Sequence, residues 1–124
     1  MNYPVQIVDW IPTLTALCSA APTQNPLWGV TDIWPLIEDN APAEEKRIYW
    51  HFRGGRNLGL RLGDWKLTDC EVENGRRMEL FNIADDPYEK EEISADYPEK
   101  VVELNELIVA ERRLDDSSKR PDMD

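Results

Sequence analysis

Histidine and cysteine are nearly missing from this sequence: 124 residues hold one His and two Cys, Cys18 and Cys70. So few nitrogen and sulfur donors exclude a dense metal site and a disulfide framework. Basic residues are scarce too, 14 Lys+Arg against 25 Asp+Glu, for a formal net charge of −11. That balance argues against nucleic acid and anionic membranes as partners, since both need a basic face to displace counterions. No apolar run reaches the ~20 residues that span a bilayer. Met1-Asn2-Tyr3-Pro4 lacks the basic start and apolar stretch of a secretion signal. Ser-His-Asp chemistry would have to use His51, yet no Gly-x-Ser-x-Gly elbow exists. The acidic residues read as solvated faces rather than a carboxylate pair in a cleft.

Aromatic residues are plentiful by contrast. Five Trp, four Tyr and two Phe bring large burial area per residue to a chain that is 41% hydrophobic and 31% charged. At this length one domain with a modest core is expected.

The first periodic segment is Val8–Cys18, with Asp9 as helix N-cap, Pro12 in the first turn, and Trp10, Leu14, Leu17 and Cys18 at helical spacing. Pro22 and Pro26 break the following loop, and a short helical or turn segment spans Thr31–Ile37. The period then changes. Arg47–Phe52 is β-branched and aromatic and reads as a strand. Leu58–Leu62 alternates, with Leu58, Leu60 and Leu62 on one face. Trp65–Thr68 and Met78–Ile83 make a third and a fourth strand, with Asn74-Gly75 as the hairpin signal between them. Pro98 opens a helix with an apolar stripe of Val101, Leu104, Leu107, Ile108 and Leu114. The expected fold class is α+β: a small four-stranded antiparallel sheet, a packed C-terminal amphipathic helix and an N-terminal helical arm.

Four segments in this order resemble the C-terminal region of the sulfatases, the arylsulfatase-like enzymes of the alkaline-phosphatase-like superfamily. They are Val8-Asp9-Trp10-Ile11-Pro12-Thr13-Leu14, Leu27-Trp28-Gly29-Val30-Thr31-Asp32-Ile33-Trp34-Pro35, Leu60-Arg61-Leu62-Gly63-Asp64-Trp65-Lys66-Leu67, and Glu79-Leu80-Phe81-Asn82-Ile83-Ala84-Asp85-Asp86-Pro87-Tyr88-Glu89. The second departs from the family pattern, with Trp28 where an Asp is usual and Thr31 as an extra residue. The resemblance implies that residues 1–42 are the end of a large sulfatase domain. It makes 43–114 the C-terminal sheet-and-helix subdomain, with 115–124 a flexible tail.

The resemblance also implies a parent that hydrolyses sulfuric esters with calcium and a formylglycine made from a Cys/Ser-x-Pro-x-Arg motif. Neither Cys18-Ser-Ala-Ala-Pro22 nor Cys70-Glu-Val-Glu-Asn74 fits that motif, so no catalytic residue is assigned and no cofactor is expected in this chain. Asp39-Asn40, Asp85-Asp86 and Asp115-Asp116 look like copies of the family's calcium pairs. Calcium needs ~6–8 oxygens converging from several elements, so no metal ligand is assigned either. Cys18 is read as a small buried helix residue. Lys66 is read as an outward strand residue, and Trp65 as an anchor between sheet and helix. Because the resemblance sets this region beside the substrate cleft, His51, Arg53 and Arg56 are the substrate-contact candidates; Arg suits bidentate recognition of sulfate or carboxylate.

Trp10, Leu14 and Trp34 are expected to face a neighbour. That neighbour is either the large catalytic domain or, through the N-terminal helix, a second copy. The alternative is a free-standing acidic interaction module derived from a sulfatase. Relatives are often periplasmic or secreted, but the sequence itself assigns no compartment.

Overall fold

The structure is a computed structural model; it describes residues 3–20, 30–39, 45–52 and 54–118, with side chains described as far as 115. Arg53, Asn40, the Asp116 side chain, the loop prolines Pro22 and Pro26, and Leu27-Trp28-Gly29 lie outside the described residues. The chain divides into two compact units, Met1–Lys46 and Arg47–Asp124.

In the first unit a single 3₁₀ turn, Ile7–Asp9, runs into α1, Trp10–Leu17, and a short α2 spans Trp34–Glu38. Asp9 takes the N-cap position of α1 that the sequence suggests, but its backbone is already helical and its side chain caps no α1 amide. The carboxylate is fully buried instead. It accepts the Gln6 amide at 2.7 Å and the Thr31 amide at 3.0 Å, and it pairs with the ammonium of Lys46. Thr13, one turn on, donates to the Asp9 carbonyl at 2.7 Å and accepts the Ile33 amide at 3.0 Å. One side chain of the 3₁₀ turn and one of α1 therefore satisfy the backbone of a segment some twenty residues away, and Ile33 is buried.

In the second unit four strands form an antiparallel meander in the order β1-β2-β3-β4. These are β1, Arg47–Phe52; β2, Asn57–Leu62; β3, Trp65–Val72; and β4, Gly75–Asn82. The register aligns Tyr49, Leu60, Leu67 and Leu80 in one row across the sheet. Residues directly opposite in a ladder share a face, so this row is the floor of the core. The amphipathic helix α3, Pro98–Ser118, lays Leu104 and Ile108 on that floor, with Val101 and Leu107 beside them. Each fully buried Leu or Ile contributes about 1.5–3 kcal/mol relative to exposure. Trp65 anchors sheet to helix as expected, packing on the core and meeting the Tyr97 ring edge-on at 5.0 Å.

Several sequence expectations shift. The β3–β4 hairpin turns on Glu73 and Asn74, with Val72 opposite Gly75, so the strands run longer than the alternation suggested. Leu114 is exposed, and the helix continues past it to Ser118, so the buried stripe closes at Ile108. Cys18 is exposed rather than buried, because it follows α1 on that helix's outer side, and both cysteines are free thiols. No helix among the described residues is long and apolar enough to cross a membrane.

The outer face of the sheet carries Trp50, whose ring lies flat across the backbone of Gly59. A Cβ on Gly59 would fall 2.3 Å from the ring. Lys66 sits on this face as the sequence predicts, its ammonium 5.5 Å from the Trp50 ring centroid and 2.6 Å from a Glu89 oxygen. The loop bearing Glu89 is built by acids bound to amides. The Asp86 carboxylate accepts Lys90 and Glu91 amides at 2.5 and 2.8 Å. Glu92 accepts the amide of Leu80 at 3.1 Å and that of Ser94 at 2.7 Å. These bonds hold both carboxyls below their ordinary range, led by the Glu91 amide for Asp86 and by Ser94 for Glu92.

Candidate functional site

The candidates His51 and Arg56 lie at one end of the sheet, on either side of the β1–β2 turn. That turn passes through Gly54 and Gly55 at φ 65° and 84°, a left-handed conformation that side chains resist. Arg53 belongs to the same turn in sequence but lies outside the described residues. His51 stands opposite Leu58, which stands opposite Asp69, which stands opposite Met78. It therefore shares the core face of the sheet, two residues beyond the row that α3 covers, and its ring is exposed. The Tyr49 ring lies 6.4 Å away, tilted by 40°. Burial and a hydrogen bond with Asp115 push the Tyr49 phenol above its ordinary value, so the hydroxyl stays protonated and tied to α3.

Arg56 is exposed, its guanidinium 3.5 Å from a Glu71 carboxylate oxygen. An ion pair this open to solvent is worth ~0–1 kcal/mol, so the side chain is nearly free to take another anion. Its backbone is held more firmly. The Arg56 carbonyl accepts the Glu71 amide at 3.2 Å and Nη2 of Arg76 at 3.3 Å.

Arg76 and Asp69 are the pair that sequence reasoning missed. Nε of Arg76 donates to the nearly buried Asp69 carboxylate at 2.7 Å, and Nη2 reaches the Asp69 carbonyl at 3.2 Å. That hydrogen bond raises the Arg76 pKa further, fixing its charge. Arg76 thus clasps β3 to the β1–β2 turn and sets where Arg56 starts. A signal was present in the sequence: Asp69 falls on the core face, two residues after Leu67, where a lone charge demands a partner.

Among the described residues no three His, Cys, Asp or Glu side chains come together as metal ligands. Asp86 is committed to loop amides and Asp115 hydrogen-bonds Tyr49. This donor set does not fit calcium.

No protein-family model and no curated protein matches the sequence. Solved structures do match. Ps i-CgsB is similar at 26% identity and TM-score 0.64, over 90% of this chain and 24% of that one. BT4656, solved in complex with its substrate D-glucosamine-2-N,6-O-disulfate, is similar at 19% identity and TM-score 0.63, over 94% of this chain and 25% of that one. The likeness is one of fold. This chain spans about a quarter of the length of each of those proteins.

Proposed function

We propose that this chain is the C-terminal subdomain of a sulfatase, a sulfuric ester hydrolase. In this reading it caps the catalytic domain, borders the substrate cleft and does no chemistry alone. One observation carries the reading: nearly the whole chain matches about a quarter of a protein whose substrate bears two sulfates. The sequence has no Cys/Ser-x-Pro-x-Arg motif from which a formylglycine is made, so in this reading the formylglycine and the calcium belong to the remainder of the parent enzyme and no step is assigned to residues here.

What this chain supplies is one wall of the cleft. Arg56, with its backbone clasped by Arg76 and only a weak ion pair on its guanidinium, offers a bidentate donor to a sulfate or carboxylate on the sugar. His51 lies across the same turn as a second donor, and Arg53 completes the set of candidates.

The isolated chain, incubated with an aryl sulfate, is expected to release no sulfate. Measurable release would overturn the reading. In a complete enzyme, His51→Ala and Arg56→Ala are expected to raise KM for the sulfated sugar about ten-fold each, as for one lost charge-assisted hydrogen bond. Unchanged kinetics for every substrate tried would remove both residues from the contact surface.

A further inference from the structure

An acid stands beside the exposed cation at the end of the sheet. Glu71 lies two residues past Asp69 on β3 and opposite Arg76 on β4, so it shares their face of the sheet, where His51 also stands. Its carboxylate comes within 3.5 Å of Nε of Arg56, and the two side chains are 50% and 71% exposed. An ion pair so open to solvent stabilises little. The backbone beneath it is nonetheless tied down. The Glu71 amide donates to the Arg56 carbonyl at 3.2 Å and to Oδ1 of Asn57 at 3.3 Å. The same Arg56 carbonyl accepts Nη2 of Arg76, whose Nε holds the nearly buried Asp69 carboxylate at 2.7 Å. A carboxylate and a guanidinium are thus presented side by side from two different segments, with a spacing set by the fold and not by their own attraction.

We infer that Glu71 is a specificity-determining residue of the Arg56 contact, and that the two together take one anionic substituent of a sugar flanked by a free hydroxyl. That the ligand is a sugar rests on the function proposed above. An arginine fork alone accepts any sulfate or carboxylate. With Glu71 so close, an anion arriving at Arg56 brings a like charge against the carboxylate, which costs affinity. A hydroxyl next to the anionic group reverses that cost, because it donates to Glu71 while the anion accepts from Arg56. Inorganic sulfate carries no such donor. A second anionic group at the neighbouring position would set its own charge against Glu71. The pair therefore selects its ligand by one attraction and one repulsion.

The full chain is titrated with two probes, inorganic sulfate and a methyl glucoside monosulfate with free hydroxyls on both sides of the ester. Binding is followed through the Arg56 Nε–H and Glu71 amide signals, and the remaining amides report that each variant stays folded. The wild type is expected to bind the sugar sulfate about five-fold more tightly than inorganic sulfate. Glu71→Gln keeps an acceptor for the hydroxyl but removes the charge, so inorganic sulfate gains about five-fold. Glu71→Ala removes both, and the two probes bind alike. Arg56→Ala loses both probes. A wild type that binds the two probes equally, or shows no saturable binding of the sugar sulfate, overturns the inference. So does a preference that survives in Glu71→Ala, although Arg56 then stands as an anion contact. Undiminished binding of both probes by Arg56→Ala would instead strike Arg56 itself from the contact surface, and with it that part of the function proposed above.

Discussion

The two units solve opposite packing problems with similar elements. In the C-terminal unit, α3 turns Leu104 and Ile108 inward onto Leu60, Leu67 and Leu80 and leaves its charges outside. In the N-terminal unit, the 3₁₀ turn and α1 bury Asp9 and Thr13 and leave Ile7, Ile11, Leu14 and Leu17 outside. A helix with its apolar stripe buried has a self-sufficient reason to fold. A helix with its apolar stripe exposed is held by hydrogen bonds and one ion pair, and its apolar side stays available for another surface.

That contrast is most sharply tested at Asp9. Asp9→Ala leaves the Lys46 ammonium buried and two amides without acceptors, for a cost of about 3–5 kcal/mol. Hydrogen exchange should show protection lost around Thr31 and Ile33 while β2 and β3 keep theirs. Loss in the sheet as well would mean the units do not fold separately. Leu67→Ala is the mirror experiment, a cavity under α3 costing about 2–5 kcal/mol, read as a lower denaturant midpoint for the sheet with the Asp9 clip intact.

Gly59→Ala acts on the outer face. Its Cβ would displace the Trp50 ring that lies 2.3 Å from it, at about 1–3 kcal/mol, with a change in indole fluorescence. An unchanged spectrum would refute the flat packing of that ring.

A smaller effect is expected from acid. Asp86 and Glu92 are both held below their ordinary range in the fold. Their contribution is therefore complete above the unfolded carboxyl value, near ~4, and is lost as pH falls through the lower folded values. Amides of Leu80, Lys90 and Glu91 should exchange faster over that window before the sheet unfolds; equal protection throughout would show that these carboxyls do not hold the loop. The smallest effect falls on the exposed face. Ile11→Glu in the isolated chain should change stability by no more than about 0.5 kcal/mol, because the side chain is more than half exposed. A loss of several kcal/mol would show that the face is already packed.

The sheet was legible because its alternation was clean: Leu58, Leu60 and Leu62 on one face, β-branched and aromatic residues in β1, and a Pro at the start of α3. The hairpin between β3 and β4 was placed one residue late. Asn74-Gly75 scores as a turn by composition, but cross-strand pairing of Val72 with Gly75 sets the register. The candidates His51 and Arg56 were legible as chemistry beside a glycine turn. The Arg76–Asp69 clasp was not, since its partners are seven residues apart and meet only once β3 and β4 pair.

Asp9 marks the boundary between what the chain's own letters decide and what the fold decides. Composition, charge and local period were enough to settle the α+β class, the four strands, the covering helix and the lack of a formylglycine motif. Each of these depends on neighbours a few residues apart. Which way α1 faces depended on Thr31, Ile33 and Lys46 arriving from 20 to 37 residues away to engage Asp9 and Thr13. Periodicity locates an apolar stripe; only the long-range polar contacts decide whether that stripe points into the core or out of it.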